Sequence, residues 1–254
     1  APVQVDWGLS NTGEWTDLPN GARLWRLQLE AVETTQALAV LYDDFFLPKG
    51  AKFYMYSPEG KQIIGGYTHR NNPQTGRFMT GLIQGRTAIL EYYEPADAIG
   101  KGRIHIFRID QAYPKAGRPA SDYPFQVHSG GGNDLGFGTS LDCHVNVNCP
   151  EGADWEKQKR STCRIIMALE EGFGYCTGTL INNTNNDGTP FVLSANHCFG
   201  DFPPLYDMWR FDFNYETDGC TNPTEEPAFQ SVLGCSLRAR REQSDLLLLE
   251  AFEP

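Results

Sequence analysis

The segment FVLSANHC, residues 191–198, decides how this chain is interpreted. Its apolar start predicts a β-strand that runs through two small residues into a histidine and a cysteine. The cysteine can tie down the loop that carries the histidine. A second segment, QSDLLLLE at residues 243–250, places an aspartate directly before another apolar strand. The first segment therefore places His197 at the end of a predicted strand, and the second places Asp245 at the start of one.

Composition limits the class of protein and its partners. The chain has 254 residues, of which 40% are hydrophobic and 12% aromatic, which is enough to bury the cores of two domains. The net charge of −11 argues against nucleic acid and anionic membranes as partners, because both bind proteins through clustered Lys and Arg. No apolar run reaches the length of a membrane span, so a soluble protein is expected.

Residues 1–113 are predicted to form an antiparallel β-sandwich. Short runs with two-residue alternation recur between turn residues, and no helical stripe of ten residues interrupts them. The segment LWRLQLE at residues 24–30 alternates as a half-buried strand should. The other predicted strands are 37–47, 51–56, 62–67, 86–93 and 103–109.

Residues 114–140 are interpreted as a linker, because proline and the run SGGGND at 129–134 oppose a packed element. Lys115, Arg118 and the glycine-rich stretch are candidate sites of activation cleavage. An inert spacer is the alternative interpretation.

Residues 141–254 form the second predicted module, and they contain six strand-like runs. Six strands can close a small barrel that side chains fill. The fold class is therefore all-β, a sandwich followed by a barrel. His197 follows the third run and Asp245 directly precedes the sixth. The six runs are 164–169, 174–181, 191–195, 209–215, 231–238 and 246–252, and only 154–160 looks helical.

The two segments resemble the histidine and aspartate segments of trypsin-like serine proteases, in which the active site lies between two six-stranded barrels. The resemblance implies that His197 is a general base and that Asp245 orients it by accepting a hydrogen bond from Nδ1. Asp245 is expected at the edge of a dry barrel wall, where its charge is less screened than in water. Peptide or protein substrates follow from this role, and no cofactor or metal does. Zinc at His197 and Cys198 is disfavoured because adjacent residues on an extended segment point apart.

A closer resemblance connects residues 141–253 with bacterial lysyl endopeptidases, a secreted branch of the same proteases. It is carried by CHVNVNCPEG at 143–152 and YCTGTLINNT at 175–184. In this branch a propeptide precedes the mature start, so residues 1–113 are expected to be a pro-domain and the chain a zymogen fragment. Seven cysteines, all in the second half of the chain, favour an exported protein. A reduced intracellular protein with buried thiols is the alternative.

The resemblance also implies disulfide partners. Cys176 is expected to pair with Cys198, and Cys149 with Cys220. Cys143 is expected to pair with a cysteine of a second barrel that follows Pro254. The remaining two cysteines are predicted to pair with each other, Cys163 with Cys235.

The nucleophilic serine is also expected after Pro254. Ser129 lies in the linker, while Ser194 and Ser244 belong to the histidine and aspartate segments. The 254-residue chain alone is therefore predicted to be inactive. A non-catalytic secreted binding protein is the alternative, for which exposed aromatics such as Trp15, Tyr92 and Tyr93 would be suitable. His144, next to Cys143, is expected to be structural. The other three histidines show no partner pattern and are expected to be surface or sandwich residues: His69, His105 and His128.

Overall fold

The chain divides into two compact units, Ala1–Pro114 and Lys115–Pro254. The computed structural model describes residues 2–112, 144–198, 200–221 and 227–252. In these ranges the protein is built from antiparallel strands, as predicted. None of the described helices is long and apolar enough to cross a membrane. The predicted linker, His128 and Cys143 lie outside the described residues.

The first unit contains two five-stranded antiparallel sheets. The first sheet has the order β1 (Pro2–Gly8), β10 (Arg103–Ala112), β4 (Ala37–Phe46) and β7 (Phe78–Met79), with β8 (Ile83–Gln84) also paired to β4. The second has the order β2 (Glu14–Asp17), β3 (Arg23–Glu30), β9 (Thr87–Glu94), β5 (Lys52–Tyr56) and β6 (Ile63–Tyr67). The alternation in the sequence predicts six of these ten strands.

The two sheets pack face to face through aromatic side chains, so the predicted sandwich is confirmed. Tyr42 and Phe45 of β4 meet Phe53 of β5 with ring centroids 5.8 and 5.4 Å apart. All three residues are almost fully buried. Edge-to-face contacts of this kind add about 0.5–1.5 kcal/mol beyond the burial of area. The aromatic residues therefore form the core between the sheets.

In its described residues, the second unit contains one seven-stranded antiparallel sheet, together with a short helix α1 (Glu156–Ser161). The strand order is β15, β14, β11, β12, β13, β17 and β16. In chain order the strands are β11 (Thr162–Leu169), β12 (Gly172–Ile181), β13 (Phe191–Ala195), β14 (Arg210–Phe213), β15 (Gln230–Leu233), β16 (Cys235–Arg241) and β17 (Leu246–Ala251).

This sheet closes on itself at Gly234. The two outermost strands, β15 and β16, are separated in the chain by this one residue. Gly234 donates to the carbonyl of Trp209 at 2.7 Å and accepts from the amide of Phe252 at 2.9 Å, so it bonds to both sides of the seam. Its φ of 78° favours glycine. The predicted run 231–238 is thus one strand bent into two, and six strands close the barrel.

The barrel core positions the candidate site. Ile165, Met167, Trp209 and Leu247 are buried, and the indole of Trp209 donates to the carbonyl of Ala168 at 2.9 Å. Strands β13 and β17 are adjacent within this closed wall. The residues that follow β13 therefore meet those that precede β17.

Candidate active site

His197 lies in a 3-10 turn, Asn196–Cys198, that begins where β13 ends. The last register pair of β13 and β17 is Ala195 with Leu246. One residue further along, the amide of Asn196 donates to the carbonyl of Asp245 at 3.1 Å. The antiparallel pairing thus brings the histidine turn beside Asp245.

Asp245 ends a second 3-10 turn, Glu242–Ser244, and has φ 51° and ψ 36°. Aspartate tolerates this left-handed conformation better than most residues with a side chain. Its amide donates to the carbonyl of Glu242 at 3.0 Å. The turn therefore reverses the chain between β16 and β17 and leaves the carboxylate at the barrel rim.

The carboxylate of Asp245 holds His197 at two points. Oδ2 lies 2.5 Å from Nδ1 of the imidazole, and Oδ1 accepts from the backbone amide of His197 at 2.7 Å. Two contacts fix both the position of the residue and the rotation of its ring. With Nδ1 engaged by a carboxylate, the neutral ring carries its proton on Nδ1, so Nε2 can accept a proton.

The pair is more exposed than the sequence interpretation expects. The side chain of His197 is 75% exposed and that of Asp245 is 48% exposed. The expectation that Asp245 lies in dry surroundings, where water screens its charge less, is therefore wrong. The reason is that the pair lies on turns after one strand and before another, outside the packed interior. The hydrogen bond from the His197 ring, followed by that from its amide, lowers the pKa of Asp245 below its ordinary value. The carboxylate is therefore charged at neutral pH.

Disulfides join Cys176 to Cys198 and Cys149 to Cys220. These are the pairs that the resemblance implies. The first links the last residue of the histidine turn to β12. Ser194 strengthens the same connection, because its hydroxyl donates to the carbonyl of Thr177 on β12 at 2.8 Å.

The predicted pairing of Cys163 with Cys235 is wrong, because both are free and buried thiols. Cys163 on β11 donates to the carbonyl of Gly178, and Cys235 on β16 donates to the carbonyl of Tyr206. Their strands are not neighbours in the sheet. Burial raises the pKa of the Cys163 thiol to about 12 and raises that of Cys235 further. Both thiols therefore stay protonated at neutral pH.

The aromatic residues suggested for ligand binding are not fully exposed, since Trp15 and Tyr93 are half-buried. Tyr92 is fully buried. Trp15 packs edge-on against Tyr92, with 6.1 Å between ring centroids, and the guanidinium of Arg23 covers its ring at 4.3 Å. Core packing and a cation–π contact therefore account for Trp15 and Tyr92.

One group of potential metal ligands occurs in the described ranges, Cys149, Glu151 and Cys220. The two sulfurs are bonded to each other, so neither is a thiolate that can bind a metal. A single carboxylate remains, which is too few ligands for a metal site. This group is explained by the disulfide.

His105 has partners that the sequence interpretation missed. Its ring contacts Asp6 and Asp43, which lie 99 and 62 residues away along the chain. Separations of this size leave no local pattern in the sequence. His69 is exposed, as expected for a surface residue, and His144, expected to be structural, is exposed as well.

The second unit combines a closed antiparallel barrel with a histidine–aspartate pair at its rim. Comparison with a known family indicates a protease-related protein. Residues 137–253 match the family model described as lysyl endopeptidase, C-terminal domain. The second unit is therefore related to the proteases.

A relative extends this likeness along the chain. The lysyl endopeptidase of Pseudomonas aeruginosa is 26% identical over 276 aligned positions, which cover 98% of this chain and 55% of that protein. The chain is a relative of lysyl endopeptidases, as the sequence resemblance predicts. It spans about half the length of this curated protein.

Proposed function

We propose that this chain is the amino-terminal part of a serine endopeptidase precursor that cleaves lysyl peptide bonds. In this proposal His197 is the general base and Asp245 is its orienting carboxylate. The nucleophilic serine belongs to the part of the protein that follows this chain. The preference for lysine rests on the name of the Pseudomonas relative.

The single observation that carries the proposal is the double contact between Asp245 and His197. A serine hydroxyl needs an adjacent base to become nucleophilic at neutral pH. The carboxylate keeps the Nδ1 tautomer and stabilises the imidazolium that forms when Nε2 takes the proton. Both contacts, at 2.5 and 2.7 Å, are made between residues of this one unit. The base is therefore preorganised at the rim of the barrel.

The first unit has the role of a pro-domain in this proposal. It precedes the region 137–253 that matches the lysyl endopeptidase domain. The two disulfides suit an oxidising compartment, so the protein is exported. The linker 114–140 carries the bond that is cut on activation, and Cys143 pairs with a cysteine of the following barrel.

The test is kinetic and uses the full-length protein with a lysyl amide substrate. Asp245→Asn should preserve the fold and lower kcat by about 10⁴-fold, because the imidazole loses the tautomer that accepts the serine proton. His197→Ala should lower kcat by a comparable or larger factor. Far-UV circular dichroism of each variant checks the fold.

His144→Ala is the matched control, because it removes an exposed histidine of the same unit and should leave kcat unchanged. A loss of less than tenfold in Asp245→Asn would show that this carboxylate does not orient the base. Full activity of His197→Ala would exclude the serine endopeptidase mechanism at this site.

A further inference from the structure

His105 lies between two carboxylates that belong to the strands on either side of it. Its Nε2 is 2.7 Å from Oδ1 of Asp6 on β1, and its Nδ1 forms a hydrogen bond with Oδ1 of Asp43 on β4. His105 itself is on β10, the strand between these two. One imidazole thus connects three strands of the first sheet.

Register shifts in both neighbouring strands accompany these contacts. Between the pairs Gln4–Arg108 and Trp7–Ile106, two residues of β1 face one residue of β10, and Asp6 is one of the two. On the other side, His105 pairs with Asp44 while Ile106 pairs with Tyr42, so Asp43 is an extra residue of β4. β-Bulges redirect side chains and interrupt the ladder of backbone hydrogen bonds. Both aspartates therefore reach the imidazole from bulges.

The protonation state of the ring decides whether both contacts are favourable. An ionised carboxylate only accepts hydrogen bonds, and a neutral imidazole has only one N–H group. Two carboxylates therefore require the doubly protonated, positively charged ring. When His105 loses a proton, one ring nitrogen becomes an acceptor that faces a carboxylate, and that contact is lost.

Other charged groups lie near the ring on the neighbouring strands. Asp44, opposite His105 in register, is engaged by Arg103, whose Nε lies 2.9 Å from it. On the β4 side, Arg77 is next to Phe78, which pairs with Tyr42 of β4. On the β1 side, Asn11 binds the backbone carbonyl of Asp6 and leaves the charge of its carboxylate unchanged.

We propose that His105 is a pH-dependent latch that strengthens the attachment of the amino-terminal strand β1 to its sheet and weakens this attachment when the imidazole is deprotonated. β1 is the edge strand, so β10 is its one neighbour in the sheet among the described residues. The Asp6 contact is the weaker of the two, because the side chain of Asp6 is 90% exposed and that of Asp43 is 45% exposed. This proposal concerns the first unit and does not depend on the proposed endopeptidase.

The direction of the pH dependence follows from linkage. Hydrogen bonds from Asp43 and then Asp6 raise the pKa of His105 above its ordinary value. The stabilising contribution of the latch is therefore fully present below the unfolded-state pKa of about 6.5. Its contribution is lost as the pH rises through the higher pKa of the folded state.

The test is amide hydrogen exchange of β1 in the 254-residue chain at a series of pH values, corrected for intrinsic exchange. The protection factors of the β1 amides that bond to β10 should fall as the pH rises through the titration of His105, which NMR follows on the same sample. Linkage predicts that these protection factors fall tenfold for each unit by which pairing of β1 raises the pKa of the imidazole. Protection in β3 and β9 should not change.

Two variants and one control make the result decisive. Asp6→Asn and His105→Gln should each lower the protection of β1 and abolish its pH dependence, while His69→Gln, at an exposed site of the same unit, should behave as the wild type. Asp6→Asn leaves the contact between His105 and Asp43 in place, so it remains informative if His105→Gln does not fold. Protection of β1 that is independent of pH in the wild type would overturn the proposal. So would a pH dependence that persists in Asp6→Asn.

Discussion

At the scale of single residues, the backbone contributes as much to the histidine–aspartate pair as the side chains do. Asp245 is bonded through its carbonyl to Asn196 and through its carboxylate to the amide and ring of His197. Three contacts between two short turns leave little freedom in the placement of the imidazole. The pair is thus an extension of the ladder between β13 and β17.

We expect the pKa of Asp245 to depend on His197. Removing the ring in His197→Ala should raise this pKa toward the ordinary value of about 3.9, because the strongest hydrogen bond to the carboxylate is lost. In the wild type the stabilisation from this lowered pKa is present above the unfolded-state value and is lost as the pH falls through the folded-state value. Titration of the Asp245 carboxyl carbon by NMR measures the shift, with His144→Ala as control. An unchanged pKa in His197→Ala would contradict the role of the ring.

At the scale of elements, the closure of the barrel depends on Gly234. A Cβ built at this position lies 2.4 Å from Cδ2 of Phe252 and 2.8 Å from the carbonyl oxygen of Asp207. Gly234 also has φ 78°. Only glycine satisfies the space and the conformation together, so the bend between β15 and β16 is specified by one residue.

We expect Gly234→Ala to destabilise the second unit more than Gly188→Ala does. Gly188 has nearly the same φ, 79°, and has nothing within 4 Å of a built Cβ, so its substitution reports backbone strain alone, about 1–2 kcal/mol. Gly234→Ala adds overpacking, which costs a further 1–3 kcal/mol or so. Guanidinium unfolding of both variants measures the difference. Equal destabilisation of the two variants would mean that the bend between β15 and β16 accommodates the added methyl group without a further loss of stability.

At the scale of the whole molecule, covalent cross-links divide the chain unevenly. All seven cysteines lie between residues 143 and 235, and both disulfides are in the second unit. The first unit is stabilised by the aromatic core between its two sheets. The two units therefore differ in what stabilises them.

We expect loss of the Cys149–Cys220 disulfide to affect the second unit alone. The bond spans 71 residues, and removing it in Cys149→Ser with Cys220→Ser should lower the free energy of unfolding by about 2–5 kcal/mol. Hydrogen exchange measured on peptides from each unit, over a guanidinium series, separates the two transitions. The midpoint for residues 2–112 should stay unchanged. A shift of the same size in both units would contradict independent stabilisation.

The sequence predicts features that depend on local pattern. The alternation of apolar and polar residues predicts β3 and β9, because a half-buried strand exposes every second residue. It misses the two-residue strands β7 and β8, which are too short to show a period. The segments at 191–198 and 243–250 give the candidate pair because each motif directly adjoins its strand.

The sequence alone determines the all-β class, the barrel strands apart from the bend at Gly234, and the two residues of the candidate pair, since each depends on neighbours in the chain. Tertiary structure decides the state of Cys163 and Cys235, the exposure of Asp245 and the contacts of His105. The physical reason is that these properties depend on strand order and register. Residues up to 99 positions apart then become neighbours, and a bulge of one residue redirects a side chain.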